Sequence, residues 1–506
     1  MKKIKSIVYF ILCTMISGCS NFDHLNTNPN TVETATSSLL ATSVILDIVS
    51  PDGYAANFIQ DACLAKQMIW LEYLHDYNYN VLGRASFSGY TMLINADKMK
   101  ELAKEEYKDA YEALALFAKS YKLFYLSMQV GDIPFSDALQ GESDNTKPRY
   151  DSQEEVMKTI LDDLETASRL FSLASSFEGD PVFQGDVSKW EKVTNTFRLK
   201  VLMYLSKKEN DPGLNIKERF ARIFNNEPLM TSNKDNLQLV FSDKSGQLYP
   251  YNKATSKHHV YATISSIVID TLKAYNDYRL FYYAQPAKTM IDKGLQPDNA
   301  DAYIGLDPVA DFSDIKSEYA KGAYSAINLR YTDIPAGEPY TRVGYAEQCF
   351  ILAEAILRGW INGNATEYYN AGIKASMTFT GENTPDDEMY HHGKKITEDY
   401  IGTYLNGEPV MLKGDTEHKI KQIIIQKYLT YYMQYPFDAY YEYRRTGYPV
   451  LPINPLTNRN AEKDKIPVRW MYPTKEFDYN KENVDNAVAS QYDGIDNNNK
   501  IMWILK

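Results

Sequence analysis

The chain has 506 residues, a formal net charge of −12 and four cysteines. Its acidity, with no Lys/Arg stripe that could neutralise phosphates, argues against nucleic acid as a partner. Cysteines this sparse make no disulfide framework. The unusual count is 41 tyrosines, side chains that pair a flat apolar face with a hydroxyl and suit a surface meeting polar, ring-bearing or extended partners.

Lys2, Lys3 and Lys5 precede an apolar run from Ile7 to Ile16, followed by Ser17, Gly18 and Cys19. Residues 1–18 read as a secretory signal peptide, too short for a typical membrane span. Ile-Ser-Gly-Cys resembles the lipobox of bacterial lipoproteins, in which the cysteine is acylated and becomes the mature N-terminus. The expectation is lipidation at Cys19. Each buried methylene contributes about 0.8 kcal/mol, so more than one chain gives a firm tether. By analogy with lipoprotein sorting, Ser20 in place of aspartate implies the outer membrane, and Asp23 is in keeping with exposure at the cell surface.

Helical periodicity follows. Tyr111, Leu114, Ala118, Tyr121, Tyr125 and Met128 recur at steps of three and four, and Gly131 and Pro134 end the run. Asp151 is placed to cap the next helix, with Glu154 completing a capping box. Trp190, Val193, Phe197, Val201 and Tyr204 line its partner in an αα-hairpin. A later pair carries Tyr345, Cys349, Leu352 and Ile356, then Tyr369, Ile373 and Met377, with a turn at Asn362 and Gly363. A further helix is expected from about His418 to Tyr443.

These hairpins predict a mainly α fold: a tetratricopeptide-like (TPR-like) scaffold by geometry, without the strict repeat consensus. The scaffold covers about residues 40–210, 341–380 and 417–446. Residues 211–340, 381–416 and 447–506 are rich in Pro, Gly, Asn, Asp and Tyr and read as long irregular loop excursions, ordered because of their aromatic content. Residues 19–506 are expected to form one domain.

No HExxH, GxSxG, GxxxxGK or paired CxxC is present. The doublets His258-His259 and His391-His392 have no third ligand in view, so no metal is expected. Asp493 to Lys500 lacks the sixth-position glycine of a calcium loop. Asp162 and Asp163 are consecutive on a helix and read as a solvated face. Cys63 and Cys349 lie in apolar helical patterns and read as buried free thiols. No cofactor or catalytic constellation is expected.

Several blocks resemble the SusD/RagB outer-membrane nutrient-binding lipoproteins: GDIPFSDAL at 131–139 with RYDSQEEVMKTILDDLETA after it, and GDVSKWEKVTNTFRLKVLMYLS at 185–206. YAEQCFILAEAILRGWINGNATEYYNAGIKASM resembles the late helical pair of a SusD-like subfamily, and YYEYRRTGYPVLPIN and VRWMYPTKEFDYNKENVDNAV its C-terminal blocks. The likeness spans most of the chain. It implies a non-catalytic protein of Bacteroidota that captures oligosaccharides, or in some cases oligopeptides, and acts as a lid on a SusC-type TonB-dependent transporter.

A sugar is apolar on its faces and polar at its rim, so it needs an aromatic surface with hydrogen-bond partners around it. WLEYLHDYNYN supplies Trp70, Tyr73, His75, Tyr77 and Tyr79, and in this family the region after the first helix often contributes to the pocket. Tyr77 and Tyr79 alternate in a polar stretch and read as exposed, whereas Trp70 and Tyr73 also suit a helix core. Tyr249, Tyr251 and His259 form a second candidate and Tyr390 with His391 a third, each also compatible with loop packing. Trp190, Trp360, Trp470 and Trp503 are assigned to structure. The competing readings are a surface-anchored hydrolase and a TPR-like protein-interaction scaffold.

Overall fold

Helical hairpins carry the first half of the computed structural model, which describes residues 35–51, 59–141, 144–255 and 257–506. The expected signal peptide and the expected lipidation site at Cys19 lie outside the described residues. Helices α1 (Ser37–Val49), α2 (Tyr90–Glu101), α3 (Lys108–Val130), α4 (Gln153–Leu173) and α5 (Val187–Tyr204) pack in succession, α3 on α4 and α4 on α5. The periodic residues of α3 face inward, where Phe117 meets Trp190 at 5.6 Å and Phe197 at 5.9 Å. Phe171 from α4 stacks on Trp190 at 20°, and the indole Nε1 donates to Asp180 at 2.8 Å. Burial of such side chains contributes roughly 1.5–3 kcal/mol each.

Gly131 ends α3 at φ +95°, and a Cβ there would collide with Gln491 and Tyr492. The α4 cap sits one residue beyond the expected place. Ser152 accepts from the Glu155 amide and Glu155 reaches back to Ser152. Asp151 grips the preceding turn instead, accepting from the amides of Phe135 (3.0 Å) and Ser136 (2.7 Å).

In the second half, α6 (Tyr345–Leu357) packs on α7 (Ala365–Glu382) and α8 (Thr416–Thr430). The single helix expected over 418–443 is two. α8 stops at Thr430, Met433 adopts φ +60°, and α9 (Pro436–Thr446) starts with proline in its first turn. Proline has no N–H to continue a helix and disfavours helical geometry in the residue before it.

Short strands β1 (Met68–Trp70), β2 (Leu237–Leu239), β3 (Ala262–Ile264) and β4 (Tyr340–Val343) form two antiparallel pairs, β1 with β3 and β2 with β4. In the first, Trp70 lies opposite Ala262, which brings the segment after α1 beside the 211–340 excursion.

A chain of buried charges joins the helices. Lys200 of α5 lies 3.0 Å from Glu347 of α6 and 2.7 Å from Asp438 of α9. Lys427 of α8 pairs with Glu442 of α9. Arg445 bridges Glu442 (2.5 Å) and Glu354 (2.6 Å). Burial raises the Glu354 pKa, but Arg445, Arg358 and Lys427 together outweigh it and hold that carboxyl below the usual carboxylate range. Removing one member strands a buried charge, a loss of roughly 3–5 kcal/mol. Arg445→Leu is accordingly expected to lower unfolding stability by about that amount in denaturant titration, whereas a loss below about 1 kcal/mol would show that the chain is not cooperative.

Lys66 places residues 70–80. Its backbone is left-handed at φ +58°, its side chain is fully buried, and Nζ donates to the carbonyls of Asn78 (2.6 Å) and Tyr77 (3.3 Å). Burial lowers its pKa to about 7, with the nearby Cys63 acting in the opposite sense. An ammonium depressed in the folded state makes folding release a proton, so its contribution is complete above the ordinary value of 10.5 and is lost as pH falls towards 7. Denaturant unfolding from pH 7 to 10 should therefore show wild type gaining stability relative to Lys66→Met as pH rises. Parallel profiles would contradict a neutral Lys66 at high pH.

Candidate functional site

The 70–80 segment leaves β1, bends at Glu72 and Tyr73, and closes in a 3-10 turn over Asp76–Tyr79. His75 caps this turn, its Nδ1 accepting from the Tyr77 amide at 3.3 Å, and Asn80 ends it at φ +59°. The result is a row of rings. Trp70 and Tyr73 have centroids 6.1 Å apart, Tyr73 and His75 5.9 Å, and His75 and Tyr77 5.5 Å.

Exposure divides the row. Tyr73 is 49% exposed, and its hydroxyl accepts from Gln60 at 2.9 Å. His75 and Tyr77 are half-buried. Trp70 and Tyr79 are 1% and 3% exposed and act from behind, which corrects the exposure expected of Tyr79. Trp70 packs on His258 (5.6 Å) and Tyr261 (6.1 Å), and the Tyr79 hydroxyl is turned inward to donate to the Ala310 carbonyl at 3.1 Å. Burial lowers the His75 pKa against the opposing pull of Asp76, which favours a neutral imidazole with one donor and one acceptor. Burial pushes the Tyr77 phenol up to about 12, so it remains a hydroxyl. Asp76 at the rim is paired with Arg459 at 2.9 Å.

The pairing of β1 with β3 brings the second candidate stretch to this row but changes its roles. Tyr249 and Tyr251 are fully buried and are thereby corrected from contact residues to supports. Tyr249 packs edge-on to Phe241 at 5.3 Å, and the Tyr251 hydroxyl donates to the His259 carbonyl at 3.1 Å, holding the turn that carries His258 and His259. Both histidines remain partly exposed. Tyr319 bonds the Val260 carbonyl at 2.9 Å, and Lys316 bonds the Leu71 carbonyl at 3.1 Å. Tyr324 lies 4.6 Å from Tyr319.

The third candidate stretch shares no contact with the row among the described residues. His391 is buried and hydrogen-bonded to Asp386 at 3.1 Å. Tyr390 is half-buried, and its carbonyl accepts from Asn328 at 3.0 Å. His392 is held neutral by burial, its pKa lowered to about 4. No group of three His, Cys, Asp or Glu is arranged for a metal among the described residues.

Sequence reasoning missed Gln60, Tyr261, Lys316 and Tyr319. Tyr261 ended a stretch already singled out. Gln60 reaches the row from the segment just before β1, and Lys316 and Tyr319 carry no local signal, because only a helix over Phe312–Lys321 brings them there. Trp470, assigned to structure, is indeed buried but also donates to the Tyr77 hydroxyl at 3.3 Å.

A family model described as SusD-like, starch-binding and associating with the outer membrane matches residues 29–473. A SusD homologue from Bacteroides fragilis is 53% identical, covering 93% of this chain and 100% of its own, with a TM-score of 0.91. A second SusD homologue from that species is 34% identical over 94% of this chain and 100% of its own, with a TM-score of 0.83. A chitin-binding SusD homologue from Flavobacterium johnsoniae shares the fold at 20% identity and a TM-score of 0.73, covering 93% and 98% of the two chains. Among curated proteins none matches. The chain belongs to the SusD-like family of binding proteins that associate with the outer membrane.

Proposed function

We propose that the chain captures nutrient oligosaccharides on the Tyr73–His75–Tyr77 strip, without catalysis, and holds them as the lid of a SusC-type TonB-dependent transporter. A lipid on Cys19 would tether it at the cell surface. The observation that carries the ligand reading is the strip itself: accessible rings about one sugar-length apart, each with a polar edge and fixed from behind by buried side chains. The starch-binding description of the family supports a glycan. Oligopeptide capture is the second reading, with the same partner.

Stacking at an open strip with a few hydrogen bonds gives binding of about 4–8 kcal/mol, micromolar to millimolar. Calorimetric titration of the chain lacking residues 1–19 with plant, host-mucin and fungal oligosaccharides, beside mixed oligopeptides, should show heat with one glycan class. Tyr73→Ala should weaken it about tenfold, which is about 1.4 kcal/mol. Heat with peptides alone would overturn the ligand class, and silence across the panel would overturn capture by the isolated protein. Co-purification of a TonB-dependent barrel from outer membranes tests the lid role, and failure to recover one at low salt would count against it.

A further inference from the structure

Past Tyr77 the surface opens into a cavity of about 540 Å³, within the range of small-molecule sites. α3 contributes Lys122, Tyr125 and Gln129, and α9 contributes Phe437, Asp438 and Tyr441. Trp470 stands edge-on to Tyr77 at 6.4 Å, and the Phe437 and Tyr441 rings lie 6.3 Å apart at 23°. Such rings offer faces to the C–H side of a sugar.

The charges on this wall are already committed. Lys122 pairs with Asp47, and Arg84 with Asp496 at 2.9 Å. Arg342 bonds the Ser50 carbonyl and the Tyr340 hydroxyl. Asp438 holds Lys200 and accepts from Tyr125 and Tyr204 at 3.2 Å each. A carboxylate or an amine on a ligand would have to compete with an existing pair, whereas neutral hydroxyls meet no such cost. Gln129, half-buried, has a side-chain amide with no partner among the described residues, and it offers two donors and an acceptor. Behind the cavity Tyr435, Asp438 and Tyr441 belong to the buried interior, so a chain entering past Tyr77 meets the core.

Building on the strip reading above, we propose that this cavity receives the uncharged terminal sugar unit of the bound oligomer, so that capture reads a chain end as well as the rings behind it. The strip alone would accept any internal stretch. The cavity would require one free terminus.

The test titrates the best-binding linear oligosaccharide and two derivatives, each carrying a bulky aromatic group on one terminus, into wild type, Gln129→Leu and Ser88→Trp. Ser88 is an exposed residue on the cavity wall, so tryptophan there fills the mouth without disturbing the core. Blocking one terminus should weaken wild-type binding about tenfold and blocking the other should leave it unchanged. Both variants should bind the free oligomer several-fold more weakly and lose most of the difference between free and blocked forms. Equal binding of all three ligands to wild type would overturn the end-group site while leaving the strip reading intact. A block effect undiminished in both variants would place end recognition elsewhere. No binding of any oligosaccharide would defeat the strip reading and this inference together.

Discussion

The ionic chain through the interior is the constraint on which the rest of the fold depends. Lys200, Glu347, Asp438, Lys427, Glu442, Arg445 and Glu354 come from four helices spread over more than half the sequence, and each is at most 8% exposed. Taking them out of water is costly, and only close pairing offsets that cost. Pairing in turn requires α5, α6, α8 and α9 to meet in one register, because a shift of one helical turn would leave a lysine facing a hydrocarbon wall. Apolar packing alone would tolerate sliding. The chain also reaches the surface, since Asp438 is both a partner of Lys200 and part of the cavity wall.

The tyrosines answer a related difficulty. Long irregular segments and the last turns of helices leave backbone carbonyls that no helix or strand satisfies, and a buried carbonyl needs a donor. Here the donors are phenols. Tyr111 reaches the carbonyl of Glu178, Tyr283 that of Leu429, Tyr369 that of Val410, Tyr472 that of Asp132 and Tyr492 that of Val130. Each ring packs in the core while its hydroxyl ties down a stretch of chain distant in sequence. The tyrosine count is therefore mostly a property of the scaffold, and the few exposed rings are the exception.

This explains what could be read in advance. The helices were legible because their apolar positions recur at the helical period, and the hairpin of α4 and α5 lies where Trp190 and Phe197 place it. The break before α9 was overlooked although Pro436 announces it, because Tyr431 and Tyr435 continue the apolar spacing across it. The strip was legible because its rings are neighbours in sequence. Tyr79 misled, since an aromatic alternating with Tyr77 in a polar stretch looks exposed, yet it is buried; Tyr249 and Tyr251 followed the loop-packing alternative. Gly337, at φ +51°, lies so close over the Tyr249 ring that a Cβ would collide with it, and no local pattern reports such a cover. Residues contributed by pairing at a distance, such as Tyr319 and Gln129, carry no signal of their own.

The supports of the strip act on its backbone. Lys66 holds the carbonyls of Tyr77 and Asn78, Lys316 holds that of Leu71, and Tyr251 holds that of His259. A carbonyl is the same whatever side chain its residue bears, so these supports do not depend on the rings, and only the His75 imidazole, which caps the Asp76–Tyr79 turn, helps to set the path itself. The Tyr73 ring can change without removing any of these backbone supports, and a ligand meets a surface already fixed, with little ordering cost on binding. The cavity behaves in the opposite way. Tyr125, Asp438 and Tyr441 are shared with the core, and altering them disturbs helix packing as well as shape. The strip is thus the part of this protein free to change its ligand, and the cavity is the part bound to the fold.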